Sequence, residues 1–243
     1  MATTTTKTET FVGKRIRRRE DPRLITGTAT YVEDIQMPGM HYAVILRSPH
    51  AAARIRSIDT KKAETATGVA CVFTGKDTKG VGVVPCGIAM PDLRVPQHNI
   101  LATDRVYFVG HPVAVVVARD RYLAGDAADL IEVDYEVLPA VADPEKALAK
   151  GAPAVHPQWP DNIAFTYHQD GGNVDKAFAE ADVVAKQRIV SQRLVPMAME
   201  TRGVVAEWRG ADRQLNLYTR HRSPTWCARS WPECSGWKRT ACA

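Results

Sequence analysis

The stretch from residue 106 to 140 constrains the fold of this chain more than any other segment. It reads VYFVGHPVAVVVARDRYLAGDAADLIEVDYEVLPA. Residues 113–118 are apolar and mostly β-branched, which predicts a strand buried on both faces. Asp120 follows where a carboxylate can accept free backbone N–H groups of a first helical turn. Apolar residues then recur at helical spacing to Leu130, and residues 131–135 alternate like a second strand, so we predict a compact β-α-β unit.

Elsewhere the sequence predicts two α+β units separated by a linker. Residues 153–161 contain three prolines and Trp159, a composition typical of a linker. Residues 80–98 are rich in Gly and Pro and predict a long irregular loop of a kind that often carries function. The other predicted elements are strands at 42–46, 53–58, 69–73, 163–167 and 183–190, a hairpin of 204–208 and 215–218, helices at 61–67, 143–150 and 175–181, and an extended segment at 23–31.

The net charge of +5 lies mainly at the two ends of the chain. Residues 1–23 carry seven Lys or Arg against three acidic residues, and residues 225–243 carry three against one. The rest is close to neutral, so we predict no broad basic face and no nucleic-acid partner. The longest apolar run is far shorter than the roughly 20 residues of a membrane span. The first ten residues lack the apolar core of a secretory signal, so we expect a cytoplasmic protein without a membrane span.

The last 19 residues differ from all that precede them. They read TWCARSWPECSGWKRTACA and contain three of the five tryptophans and three of the five cysteines, without periodicity. Cys227, Cys234 and Cys242 lie seven and eight residues apart, which matches no zinc or iron–sulfur spacing. The alternatives are an unusual metal-binding tail and a shifted reading frame.

The genetic code favours the shifted frame. Tryptophan has a single codon, TGG. In the frame that starts one nucleotide earlier, the codon spanning residues 226–227 must therefore encode valine, that spanning 231–232 alanine and that spanning 237–238 glutamate. Compatible codons at the other positions allow HLVRSLVAGVLGLEEDRVR, which has the pattern of an amphipathic helix, a glycine stop, an acidic turn and a strand. We therefore predict a frameshifted tail at 225–243, with its junction near residues 220–224.

Short motifs follow one another along nearly the whole chain, from about residue 12 to residue 224. They are REDPR at 19–23 with TG at 26–27, YVED at 31–34 with PG at 38–39, RSPH at 47–50 with ARI at 53–55, GV at 68–69 with FTG at 73–75, GHPVA at 110–114, DAAD at 126–129 with VDYE at 133–136, METRG at 199–203, and YT at 218–219 with SP at 223–224. In order and spacing they resemble the large, molybdopterin-binding subunit of the xanthine dehydrogenase, aldehyde oxidase and carbon monoxide dehydrogenase family.

The resemblance implies an α+β fold, in which an α/β hammerhead domain precedes an incomplete molybdenum-cofactor-binding domain. The chain then divides into five parts. These are a flexible basic arm at 1–18, the hammerhead domain at 19–140, a linker at 141–161, the start of the cofactor-binding domain at 162–224, and the frameshifted tail at 225–243.

The resemblance also implies the chemistry of a complete subunit. In this family a molybdenum–pyranopterin cofactor hydroxylates an aldehyde, N-heterocycle or CO-type carbon with oxygen from water, and a glutamate acts as general base. Electrons leave through iron–sulfur clusters and FAD on partner subunits or domains, which implies a hetero-oligomer. The family's glycine-rich loop, active-site loop and base glutamate would lie downstream of this chain. We therefore expect no catalytic residue and no metal ligand here, and an inactive fragment that does not retain the cofactor.

Three residues are the best candidates for contact with that cofactor. Gln192, Arg193 and Glu200 lie in a stretch that resembles the cofactor-proximal segment of the family. The glutamine amide is suited to donate a hydrogen bond to an apical oxo group. For Glu200 two roles stay open, contact with the cofactor and support of local backbone.

Other titratable residues have structural interpretations. His50, His98 and His111 lack metal-ligand spacing, and we expect solvated or hydrogen-bonded imidazoles. Asp134 and Glu136 alternate on a predicted strand, and we expect both at the surface.

Two classes of function follow for the chain. The first is the N-terminal part of a molybdenum hydroxylase large subunit. The second is a non-catalytic hammerhead module that acts in subunit interaction, with basic residues 14–19 and the loops as contacts. A nucleotide-binding domain is disfavoured, because no GxGxxG or phosphate-binding loop stands at a strand–helix junction.

Overall fold

The computed structural model describes residues 11–81 and 83–220, which form two compact units. The larger unit contains residues 38–194, and in the smaller unit residues 11–37 associate with residues 195–220. The helices are α1 (Asp21–Ile25), α2 (Lys61–Glu64), α3 (Arg121–Asp129), α4 (Pro144–Ala147) and α5 (Val174–Ala179), with a 3-10 helix at Val32–Asp34. The strands are β1 (Tyr42–Arg47), β2 (Ala53–Asp59), β3 (Val69–Thr74), β4 (Arg105–Val106), β5 (Pro112–Ala118), β6 (Glu132–Val137), β7 (Val204–Arg209) and β8 (Gln214–Thr219).

The first sheet of the larger unit has β5 at its centre, between β1 and β3. Both neighbours run antiparallel to β5, so that Val44 and Val72 each lie opposite Val116. Side chains alternate along β5, which places Val113 in one hydrophobic cluster and Ala114 and Val116 in another. The prediction of a strand buried on both faces is therefore confirmed.

The second sheet has β2 at its centre, between β4 and β6, and is also antiparallel. The predicted strand, helix and return strand are all present, but β5 and β6 lie in different sheets. The prediction of a compact β-α-β unit is wrong in this respect. Its physical reason is that β5 has apolar partners on both faces, whereas β6 is a half-exposed edge strand that pairs with β2.

Helix α3 begins as the sequence predicts. The Asp120 carboxylate accepts hydrogen bonds from the backbone N–H groups of Tyr122 at 2.7 Å and Leu123 at 3.3 Å. Three alanines of α3 are buried, and two of them, Ala127 and Ala128, belong to the cluster that contains Ala114 and Val116. Their small side chains allow the helix backbone to lie close to the first sheet.

Two predicted strands toward the C-terminal end of the larger unit are wrong. In the part of the chain that the structure describes, residues 163–167 and 183–190 belong to no sheet. The first segment bonds to a loop instead, since the Ala164 carbonyl accepts from the Arg94 N–H and the Thr166 N–H donates to Asp92. The second is solvent-exposed, with Ile189 exposed by 83%. An alternating pattern of side chains does not form a β-strand where no neighbouring backbone supplies the inter-strand hydrogen bonds.

The smaller unit contains one further error and one confirmed prediction. Residues 23–31, predicted as extended, begin inside helix α1, where Pro22 in the first turn has the backbone angle that a helix start requires. Strands β7 and β8 pair over their whole length and confirm the predicted hairpin. The segment 225–243, predicted as a frameshifted tail, lies outside the described residues.

The short predicted helices also form. The structure confirms α2, α4 and α5, each shorter than its predicted range.

No helix in the described part of the chain has the length and apolar character that crossing a membrane requires.

Candidate functional site

The three residues predicted near a cofactor fall in different units. Gln192 and Arg193 lie in an exposed, irregular segment of the larger unit, and Glu200 lies in the smaller unit. Both exposed side chains are hydrogen-bond donors, through an amide and a guanidinium group.

Glu200 is held by several contacts within the smaller unit. One carboxylate oxygen, Oε1, accepts from the backbone N–H of Val32 at 3.2 Å, and Oε2 lies 3.0 Å from Nε of Arg220. The Arg220 guanidinium also donates to the Glu200 carbonyl oxygen at 2.6 Å. The side chain is 21% exposed. This geometry favours the second of the two roles considered for Glu200, support of local backbone.

The larger unit contains a polar cavity of about 280 Å³ that the sequence did not reveal. We call it the Arg105 cavity. Its lining includes Gln97, Asn99, Arg105, Tyr107, His111 and His156. The buried Nε atom of Arg105 has no hydrogen-bond partner among the described residues.

His111 is the most buried histidine of this cavity, with 5% of its surface exposed. Its Nδ1 accepts from the backbone N–H of Tyr107 at 3.2 Å, so a neutral imidazole carries its proton on Nε2. The ring stacks on Phe108 at 4.5 Å, and the His98 ring lies 5.9 Å away. Burial lowers the pKa of His111, and the neighbouring His98 lowers it further. The expectation of a hydrogen-bonded imidazole is confirmed for His111.

His156 reaches the cavity from the predicted linker. Its ring stacks on Tyr107 with 4.7 Å between centres. Burial lowers the pKa of His156, and the positive charge of Arg105 acts in the same direction. Burial raises the pKa of Tyr107, so its hydroxyl stays protonated near neutral pH.

A smaller cavity of about 120 Å³ shares Pro96 and His156 with the Arg105 cavity. Beside it Arg94 forms an ion pair with Asp161, with one nitrogen 2.6 Å and 2.8 Å from the two carboxylate oxygens. This hydrogen bond is the main cause that lowers the pKa of Asp161. Arg94, unlike Arg105, therefore has a carboxylate partner within the same unit.

His50, Asp134 and Glu136 lie outside both cavities. The His50 ring meets Tyr135 edge-on at 5.0 Å. Asp134 is exposed as expected, whereas Glu136 is half-buried between Arg54 and Arg56, at 3.5 Å and 3.6 Å. Within the described residues, no three His, Cys, Asp or Glu side chains are placed to hold a metal ion.

Sequence reasoning missed the Arg105 cavity because its walls come from distant segments. The loop at 80–98 and the linker at 153–161 were each recognised, but nothing local shows that Gln97 and His156 line the same cavity. Hydrophobic periodicity carries no information about such contacts between irregular segments.

Two family models match the chain in succession. Residues 26–139 match the a/b hammerhead domain of aldehyde oxidase and xanthine dehydrogenase. Residues 155–241 match the molybdopterin cofactor-binding domain. The second match extends into the segment predicted as frameshifted, and the frameshift stays a prediction. Together the two matches define part of a molybdopterin-binding large subunit.

Curated relatives agree with this class. The chain is 38% identical to the 6-hydroxypseudooxynicotine dehydrogenase complex subunit gamma of Paenarthrobacter nicotinovorans, over 82% of this chain and 25% of the relative. It is 37% identical to the carbon monoxide dehydrogenase large chain of Afipia carboxidovorans, over 88% of this chain and 27% of the relative. The chain thus spans about a quarter of the length of these relatives.

A solved structure shows the same fold. Quinoline 2-oxidoreductase from Pseudomonas putida 86 superposes with a TM-score of 0.83 at 34% identity, over 92% of this chain and 28% of that chain. The chain belongs to the family of xanthine dehydrogenase, aldehyde oxidase and carbon monoxide dehydrogenase large subunits. Its fold is a hammerhead domain followed by part of a molybdenum-cofactor-binding domain, as the sequence predicted.

Proposed function

We propose that this chain is the N-terminal part of a molybdenum hydroxylase large subunit and is inactive alone. The complete enzyme would hydroxylate an aldehyde, N-heterocycle or CO-type carbon with water as the oxygen source. The observation that carries this proposal is the order of the two family matches, hammerhead first and cofactor-binding domain second, over a quarter of the relatives' length.

Gln192 and Arg193 suit the cofactor chemically. Both side chains are exposed donors, and oxo and phosphate groups of a molybdenum–pyranopterin cofactor are acceptors. When bound, that cofactor would supply the two-electron redox chemistry. Gln192 would orient it through its amide, and Arg193 would pair with its negative charge. Glu200 would act indirectly, by holding Arg220 and the backbone at Val32.

Molybdenum content tests the proposal. We expect the purified 243-residue chain to hold no stoichiometric molybdenum by inductively coupled plasma mass spectrometry. The complete subunit, expressed with its partners, should hold it. In that complete enzyme Gln192→Ala should lower the molybdenum content by about tenfold, and Gln187→Ala, an exposed neighbour, should leave it unchanged. A full complement of molybdenum in the 243-residue chain would contradict the proposal.

The DNA provides a second test. We propose that restoring one nucleotide near codon 222 reopens a frame that encodes a glycine-rich loop and a distant acidic base. Sequencing of the locus and its transcript reads this directly. If no such frame lies downstream of codon 222, the proposal fails as a statement about the gene.

We further propose cytoplasmic assembly with iron–sulfur and FAD subunits into a hetero-oligomer. Relatives named as a complex subunit gamma and as large chains support the multi-subunit arrangement. Co-purification of a tagged complete subunit with flavin- and iron–sulfur-containing chains is the expected result. Recovery of the complete subunit by itself would count against it.

The alternative function is a non-catalytic module that binds partner subunits. The observation that favours it is the exposure of the described basic arm, in which all of residues 11–20 are exposed. Charge reversal of Arg15 and Arg17 should then abolish capture of the partner subunits by the 243-residue chain, whereas reversal of Lys186 should not.

The domain division is also a proposal, with a hammerhead domain at 19–140, a linker at 141–161 and a cofactor-binding part from 162. It is supported by the gap between the two family matches, at residues 140–154. Limited proteolysis should leave a stable piece that ends near Val155. If both parts are digested at the same rate and no such piece accumulates, the division is contradicted.

A further inference from the structure

Arg105 is a partly buried cation with one buried N–H group that has no acceptor among the described residues. Its Nε is buried without a hydrogen-bond partner in the described chain. The guanidinium carbon lies 5.4 Å from the centre of the Tyr107 ring, a cation–π contact that uses a face of the group and none of its N–H donors. A guanidinium keeps its charge at every physiological pH, so it cannot adapt by losing a proton. A buried N–H of this kind costs free energy until an acceptor meets it.

The cavity beside Arg105 has space and further polar groups. It has a volume of about 280 Å³ and is partly open to solvent, which leaves room for several non-hydrogen atoms. The amides of Gln97, Asn99 and Gln158 line it and can donate hydrogen bonds. His111 lines it too, and its Nε2 carries the ring proton because Nδ1 accepts from the Tyr107 backbone. The walls thus offer several neutral donors and one permanent positive charge.

One acidic residue, Asp104, also lines the cavity and limits which anion fits. Its carboxylate accepts from the Thr103 hydroxyl at 3.0 Å. A single arginine opposed by a nearby carboxylate suits a monoanion better than a doubly charged phosphate. The planar carboxylate also matches the fork of N–H donors that a guanidinium presents.

We propose that the Arg105 cavity is a carboxylate-binding site, in which the carboxylate pairs with the Arg105 guanidinium and accepts hydrogen bonds from the surrounding amides and His111. The carboxylate belongs either to a small organic acid or to an Asp or Glu side chain from the rest of the subunit. The site lies wholly within the larger unit and is independent of the cofactor chemistry proposed above.

Acetate titration of the 243-residue chain tests the site. At constant ionic strength, acetate replaces chloride while the imidazole proton signals of His111 and His156 are followed by NMR. We expect a saturable shift of both signals. Arg105→Gln should weaken acetate binding at least about tenfold, and Arg105→Lys, which keeps the charge but lacks Nε, should weaken it by a smaller factor.

Arg94→Gln is the matched control, because Arg94 already pairs with Asp161 and does not line the Arg105 cavity. Its acetate affinity should equal that of the unchanged chain. If Arg105→Gln fails to fold, Arg105→Lys carries the comparison. Absence of a saturable shift, or equal acetate affinity in the folded Arg105 variants and the unchanged chain, would overturn the proposal.

The complete subunit distinguishes the two sources of the carboxylate. Saturable acetate binding there, again sensitive to Arg105→Gln, identifies a free organic acid as the ligand. Binding by the 243-residue chain but not by the complete subunit identifies a side-chain carboxylate that already fills the cavity. Either result supports the site.

Discussion

Replacement of Gly75 by alanine tests a close approach between Gly75 and the backbone at Ala102. A Cβ atom at Gly75 would lie 2.3 Å from the carbonyl oxygen of Ala102 and 2.9 Å from Cα of Thr103. A carbon–oxygen contact needs about 3.3 Å, so the backbone would have to move by about 1 Å. Ala102 is buried in the cluster of the second sheet, where neighbouring atoms oppose such a movement. We expect Gly75→Ala to lower the free energy of unfolding by about 2–3 kcal/mol.

Gly125→Ala is the matched control, since it makes the same chemical change in open space. Gly125 lies within helix α3, and a Cβ there would meet no atom within 4 Å. Alanine loses less backbone entropy than glycine on forming a helix, so this variant should gain about 0.5–1 kcal/mol. The two identical substitutions should therefore differ by about 3 kcal/mol, with opposite signs.

Urea unfolding followed by far-UV circular dichroism measures both variants. Hydrogen exchange of peptides from residues 38–194, read by mass spectrometry, assigns the change to the larger unit. If both substitutions shift stability in the same direction, or if Gly75→Ala stays within about 0.5 kcal/mol of the parent chain, the close approach to Ala102 is refuted.

Three further predictions concern single side chains. Asp120→Ala should cost about 1 kcal/mol in urea unfolding, because two N–H groups of α3 lose their acceptor. Burial holds the pKa of His111 below its ordinary 6.5. The neutral imidazole therefore makes its full contribution to the free energy of unfolding above pH 6.5, and this contribution is lost as the pH falls through the pKa of the folded state. His111→Asn should therefore flatten the dependence of the unfolding free energy on pH below pH 6.5. Arg94→Gln should raise the pKa of Asp161 toward its ordinary 3.8 in a carboxyl ¹³C NMR titration.

The first two of these predictions have a control in the same unit. Asp126→Ala removes an exposed carboxylate from α3 without touching its cap, and should change stability little. His168→Asn replaces an exposed histidine and should leave the pH profile unchanged. Equal losses from Asp120→Ala and Asp126→Ala, an unaltered pH profile in His111→Asn, or an unmoved Asp161 pKa would each contradict its prediction.

Signals within a few residues predicted local structure well. The apolar run of β5, the cap at Asp120 and the turn between β7 and β8 all appear where the sequence indicates. Each depends on one short segment, so its cause is visible in that segment alone. The predicted strands at 163–167 and 183–190 failed for the opposite reason, since a strand exists only with a neighbour.

The candidate site was partly predicted. Glu200 was recognised, and both of its roles were considered, but its partners Val32 and Arg220 lie 168 and 20 residues away. The Arg105 cavity was not predicted, because the loop before Arg105 and the linker at His156 meet only in the folded unit. The charge and motifs of a sequence cannot show that an arginine N–H group lacks a hydrogen-bond acceptor in the folded protein.

The sequence by itself determined the family, the order of its two domains, and the elements whose hydrophobic period or cap is local. Only the folded chain shows that β6 joins a different sheet from β5, that no Cβ fits at Gly75 beside the Ala102 carbonyl, and that Nε of Arg105 is buried without an acceptor among the described residues. The physical reason is the range of the interactions. Propensity and capping act within a turn or two, whereas sheet pairing, close packing and desolvation depend on which distant segments come together.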